Sequence, residues 1–134
     1  MVSLTPEMKE TFAKVKLFPV ATASIAGVPN VVPIAFVQLV GDDILWLADN
    51  FMQKTLANVK ENPTLALFIY DAETKQCFQI KGAVEIKTAG PDFEKMKAMI
   101  HAKKPDLPAK SLLVVHISEV FICNPGPNAG KKIT

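Results

Sequence analysis

The chain contains no arginine: all 15 of its basic residues are lysine, set against 13 acidic residues for a formal net charge of +2. Bidentate guanidinium clamps on phosphate or carboxylate are therefore excluded. An anion site here must be built from lysine, hydroxyls or backbone N–H groups. The near-balance of charge also lacks the basic footprint of nucleic-acid or membrane-surface binding, so neither partner is expected. Cysteine is equally scarce. Cys77 and Cys123 stand 46 positions apart with no second cysteine near either, which excludes zinc-type spacing and a disulfide scaffold and fits a reduced, cytoplasmic protein. The opening MVSLTPEMKE carries acids and no apolar run, so a signal peptide is not expected. One long uncharged stretch exists, the 24 residues from Leu17 to Val40, but Pro19, Gly27, Pro29, Asn30 and Pro33 interrupt it. Breakers at that density argue for two strands and a hairpin rather than a membrane-spanning helix.

What is present is apolar. With 134 residues, 49% of them hydrophobic, the chain is expected to form one domain, 1–134, around one core. Thr5-Pro6 supplies a hydroxyl N-cap and a proline at the first helical position, and Met8, Phe12 and Val15 follow on one face, which predicts a short helix. VATASIA, VVPIAFVQLV and ILWLA, separated by GVPN and GDD, read as a three-stranded meander. These runs are apolar at nearly every position and predict burial on both faces, as in a barrel or at a dimer interface. Met52, Leu56 and Val59 then share a helical stripe that stops at Asn62-Pro63. TLALFIYD and CFQIKGAVEIKT read as strands, the second with a bend or bulge at Gly82. Pro91 to Ala102 reads as a helix and LLVVHISEVFIC as the last strand. In the tail, Pro125, Gly126, Pro127 and Gly130 argue against regular structure from Asn124 to Thr134, which should either fray or be pinned as an extended arm. The order α-βββ-α-ββ-α-β, with about six strands and no regular β-α alternation, predicts a mainly β fold. Its expected form is a six-stranded antiparallel split β-barrel with peripheral helices.

Chemistry concentrates between Leu45 and Asp71. A strand ends at Asp49-Asn50, a turn follows, and Gln53, Lys54 and Thr55 fall at a helix start. Such a start offers unpaired N–H groups and partial positive charge; Lys54 adds a full charge and Thr55 a hydroxyl. Together these suit a phosphate monoester, while the plainer alternative is a pair of solvated first-turn residues.

This order resembles the pyridoxamine-phosphate-oxidase-like, FMN-binding split-barrel family from about Phe18 to Ile122. The resemblance rests on the opening helix, the meander, the Lys- and Thr-bearing helix start, ANVKENP leading into ALFIY, and the strand reaching IKGAVEI. It implies FMN in a groove between two subunits of a homodimer. Gln53, Lys54 and Thr55 would hold the phosphate, while Val32, Pro33 and Ile34 together with Leu47, Ala48, Asp49 and Asn50 would flank the flavin. The founding enzymes use arginines around the cofactor phosphate and the pyridoxal phosphate, which this chain cannot supply. What remains resembles the smaller members that bind FMN and act as reductases or electron carriers with a small-molecule or protein redox partner. Two alternatives stay open: a module that holds flavin or haem without turnover, with His116 as the haem ligand to test, and a deazaflavin-dependent reductase.

Other chemically capable residues carry less. His116 lies in an apolar strand, His101 ends a helix, and Trp46 reads as core or as a neighbour of the flavin. Cys77 has no activating charge near it in sequence. No catalytic triad, carboxylate pair or metal-ligand array emerges.

Overall fold

A computed structural model of the chain describes residues 2–133. Helix α1 spans Pro6–Lys14, and the Thr5 hydroxyl accepts a hydrogen bond from the Met8 amide at 3.2 Å. Strands β1 (Phe18–Ala23), β2 (Pro29–Ile34), β3 (Val37–Leu39) and β4 (Ile44–Asp49) precede α2 (Lys54–Glu61). β5 (Thr64–Tyr70), β6 (Cys77–Lys87), α3 (Pro91–Lys103), β7 (Ser111–Ile122) and β8 (Lys132–Ile133) complete the order. All pairings are antiparallel, in the sequence β2-β1-β5-β6-β7-β4-β3 with β8 added to β7. The mainly β, split-barrel expectation holds, with more strands than the predicted six.

The strand count rises for two reasons. The predicted meander breaks at Ala35-Phe36, so its middle run pairs with β1 as β2 and with β4 as β3. β2 and β3 are consecutive in the chain yet lie at opposite ends of the sheet order. The two linking residues therefore draw the edges together and curl the sheet into a half-barrel. Of its two expected states the described part of the tail takes the pinned one, held on its own chain, and it forms a short strand where none was expected: Gly130 N donates to the Ile122 carbonyl at 2.7 Å, Ile122 N donates to the Lys131 carbonyl at 2.9 Å, and β8 pairs back onto β7. Proline and glycine occupy the turn, and the strand forms just beyond them.

Two apolar clusters explain which strands are buried twice. Leu45, Leu47, Leu113 and Val115 point into the barrel with Val20, Leu67 and Ile80. Trp46, Ala48, Leu112 and Val114 point the other way, against Phe93, Met96 and Ile100 of α3. Trp46 is thus core, and β4 meets the expectation of burial on both faces, with β7 likewise buried beside it. β2 does not meet it: Val31 is 65% exposed on the outer face, where Phe68 and Tyr70 of β5 are each 42% exposed. Gly82 marks the predicted irregularity. The register passes from Lys81↔Glu119 to Gly82↔Ile117, leaving Ser118 of β7 as the extra residue, whose hydroxyl donates to the Lys81 carbonyl at 3.0 Å. A Cβ at Gly82 would lie 2.5 Å from Val115 Cγ1 and 2.7 Å from the His116 carbonyl oxygen, so only glycine allows β6 and β7 to approach there.

Candidate functional site

The turn between β4 and α2 is built on Asp49. Its carboxylate is fully buried and accepts from the Met52 amide at 2.9 Å and the Ser111 hydroxyl at 2.9 Å, with Lys110 Nζ at 3.7 Å. A buried charge needs such partners, and these fix the exit of β4 against the start of β7. Asn50 adds a second tie, its Oδ1 accepting from the Ala109 amide at 2.9 Å. The chain is thereby turned so that α2 begins at Lys54.

No side chain caps the N-terminus of α2, so its first-turn N–H groups keep their capacity for an external acceptor. Thr55 is almost fully buried, and its Oγ1 accepts from Asn30 Nδ2 at 3.2 Å, which leaves the hydroxyl proton for another acceptor. Asn58 Nδ2 donates to Thr22 Oγ1 at 3.0 Å. These bonds pin the helix start to β1 and β2, a precise anchorage for a group that is to bind a ligand.

Beside that helix start lies a cavity of about 570 Å³, within the usual range for cofactor sites. Of the ten residues expected to hold a cofactor, eight line it: Val32, Pro33, Ile34, Ala48, Asn50, Gln53, Lys54 and Thr55. Leu47 and Asp49 are fully buried and lie outside the lining. Leu47 packs in the barrel interior, and Asp49 shapes the turn from beneath. Sequence reading missed Ala35, Phe36 and Gln38 from the β2–β3 segment, Phe51 and Met52 from the turn before α2, and Ile100, Lys103, Lys104 and Leu107 at and just beyond the end of α3. The lysine pair ending a helical run was the one available signal. Lys54, Lys103 and Lys104 give the lining three positive charges and no carboxylate, so an anionic ligand is favoured electrostatically.

Neither histidine lines this cavity. His116 Nε2 lies 3.5 Å from Glu85 Oε1, and His101 Nε2 lies 2.8 Å from the Leu107 carbonyl oxygen. Among the described residues there is no group of three or more histidine, cysteine or acidic residues able to hold a metal ion, and no helix long and apolar enough to cross a membrane.

A second cavity, of about 650 Å³, lies between α1, the 71–76 turn and the tail, and carries Glu7, Glu10, Lys14 and Cys77 in its walls. The turn is organised by Asp71, whose Oδ2 accepts from the Thr74 hydroxyl at 2.7 Å and whose Oδ1 accepts from the Glu73 amide at 3.2 Å. Chiefly through the Thr74 bond, the Asp71 carboxyl is held below its ordinary range. Burial, with Cys123 alongside, pushes the Cys77 thiol above its ordinary range.

Comparison with known proteins agrees with this fold. The family model described as pyridoxamine 5'-phosphate oxidase matches residues 4–124. An uncharacterised protein of Methanocaldococcus jannaschii, MJ0282, is 37% identical over 99% of this chain and 89% of its own length. The crystal structure of HupZ from Group A Streptococcus superposes with a TM-score of 0.83 at 28% identity, covering 95% of this chain and 99% of the other. An FMN-binding protein from Syntrophomonas wolfei shares the fold with a TM-score of 0.74 at 19% identity, over 84% of this chain and 86% of its own. So do an F420 reductase, at 0.67 and 17% over 84% of this chain and 94% of its own, and HutZ, the haem storage protein of Vibrio cholerae, at 0.69 and 18% over 90% and 95%.

Proposed function

The chain belongs to the pyridoxamine 5'-phosphate oxidase family, and from that premise we propose that it is an FMN-binding flavoprotein, a flavin-dependent oxidoreductase or electron carrier. The observation that carries this reading is the meeting of Lys54, the Thr55 hydroxyl and the uncapped start of α2 on one largely apolar, acid-free cavity. A phosphate monoester finds a full charge, a hydroxyl donor and backbone N–H groups there. Val32, Pro33, Ile34, Ala48 and Asn50 supply the apolar walls and amide groups that suit a flavin ring. Bound flavin supplies the electron transfer. The chain's part is to hold the phosphate, orient the ring and limit access of water. Its redox partner on this reading is a small molecule or another protein, and its place is the cytoplasm, in keeping with two free cysteines. Pyridoxamine phosphate oxidation is not the expected activity, because a chain without arginine lacks the residues with which the founding enzymes meet that substrate.

A homodimer belongs to the same proposal. The outer face of β2, β1 and β5 leaves Val31, Phe68 and Tyr70 in water, with Ile25 and Val28 beside them. Apolar area of this kind on a small protein is usually covered by a partner, and a second copy placing that face against its own would complete the flavin groove.

One observation favours a second reading. Lys103 and Lys104 bring positive charge to the cavity from α3, apart from Lys54, and a deazaflavin coenzyme with further anionic groups on its tail would use both. Haem draws less support, since neither histidine lines the cavity. Mass analysis of the ligand carried through purification, followed by titration with FMN, the deazaflavin and haem, separates the three. FMN is expected to bind and raise the unfolding temperature. Protein that stays colourless after saturation with FMN and gains no heat protection overturns the proposal. Bleaching on anaerobic mixing with NADH or NADPH favours a reductase, and an unchanged spectrum leaves a carrier or a binder without turnover.

A further inference from the structure

The β6–β7 ladder brings together the two cysteines that the sequence holds apart. Phe78 stands opposite Ile122, and one step further Cys123 N donates to the Cys77 carbonyl at 3.0 Å. Directly opposed residues of an antiparallel pair project to the same face of the sheet. Across such a hydrogen-bonded pair the Cα atoms lie roughly 5.5 Å apart, inside the range of about 4.4–6.8 Å that a disulfide spans. Neither is sealed in the core: both are partly exposed, and Cys77 belongs to the wall of the 650 Å³ cavity. Neither lines the cavity beside α2.

We propose that Cys77 and Cys123 form a redox-active dithiol that closes to an intrachain disulfide under peroxide and so pins the C-terminal turn to the start of β6. The chemistry is a two-electron oxidation. One thiolate sulfur attacks a peroxide oxygen, the O–O bond breaks, and the departing hydroxide takes a proton as water, leaving a sulfenic acid. The second thiolate attacks that sulfur, the S–O bond breaks, and hydroxide again leaves as water. Two thiols have lost two hydrogens and hydrogen peroxide has become two waters. Position gives the bond its consequence. Cys77 follows the 71–76 turn, and Cys123 is the last residue before the 124–130 turn, which Asn124 joins to the first. Its Oδ1 accepts from Cys77 N at 3.0 Å, and its Nδ2 donates to Gln76 Oε1 at 3.2 Å. A covalent link would make that joint permanent and fix two walls of the cavity against each other.

The test uses the full chain, reduced and then treated with a small excess of hydrogen peroxide. Intact mass should fall by about 2 Da and titratable thiol by two per chain, both restored by dithiothreitol. Non-reducing electrophoresis should show single chains. Hydrogen exchange of residues 124–130 should slow on oxidation by about tenfold, as expected when a local opening is suppressed. Cys77→Ser and Cys123→Ser should each give a chain that dimedone labels and that loses no mass as a bridge. Thiols that remain titratable, bridges between chains, or unchanged exchange in the tail would overturn the proposal. Because reduced wild-type protein is its own control, the result does not depend on the variants folding or on FMN binding.

Discussion

Lys54 is the one formal charge at the start of α2 on the cavity wall, and its removal separates phosphate recognition from ring recognition. Charge-assisted hydrogen bonds contribute about 1.5–3 kcal/mol, so Lys54→Ala should weaken FMN roughly tenfold to a hundredfold. Riboflavin, without the phosphate, should be nearly indifferent in the same fluorescence titration. Equal losses for both ligands would place Lys54 elsewhere. Asp49 has a different task despite lying five residues away. Its carboxylate accepts from Met52 N and Ser111 Oγ in a fully buried setting. Asp49→Ala should therefore lower unfolding free energy by about 1–3 kcal/mol or more, measured in urea, because it leaves buried donors without acceptors. The sequence placed Asp49 in the segment that leads into α2 and could not show which way its side chain points. A residue's neighbours along the chain locate it, whereas the direction of its side chain follows from the strand's pleat and from what lies behind it.

Helix α3 illustrates how an element couples core and cavity. Phe93, Met96 and Ile100 are buried against β4 and β7, while Ile100, Lys103 and Lys104 reach the cavity. Met96 is fully buried. Met96→Ala should cost about 2–5 kcal/mol by urea unfolding and should weaken ligand binding as the helix end loosens. Loss of stability with unchanged affinity would uncouple the two. The 71–76 turn holds a carboxyl whose protonation is coupled to folding. The Asp71 carboxyl is held below its ordinary range by Thr74 and the Glu73 amide, so its contribution is present above the unfolded carboxylate range. It is lost as pH falls through the lower folded value. Asp71→Asn should be less stable than wild type near neutral pH, and the gap should close under acid conditions when the two are compared by thermal melts. The N-cap at Thr5, the stop at Asn62-Pro63 and the glycine at 82 were legible because each is a local chemical signal. The break at Ala35-Phe36 was not. A continuous apolar run pairs wherever its edges find partners, and those partners, β1 and β4, lie outside the run itself.

At the scale of the molecule, the exposed face bearing Val31 and Phe68 leads to the largest expected assembly effect. Light scattering at micromolar concentration should report a dimer, and Val31→Glu with Phe68→Glu should yield a folded monomer with weakened FMN binding. A wild-type monomer that still binds FMN would remove the dimer from the proposal. By itself the sequence determined the antiparallel β architecture, the helix starts, the lysine-only chemistry of any anion site and most of one cavity wall. These are written in local periodicity, caps, turn residues and composition, which act over a few neighbouring positions. The tertiary structure alone decided that β2 and β3 take opposite edges, that α3 brings Lys103 and Lys104 to the cavity, and that the tail folds back on β7. It also decided that Cys77 and Cys123 stand opposite each other. Each of these depends on strand register between segments far apart in the chain, and register is set by which faces the assembled sheet can bury, a quantity that no short stretch of sequence contains.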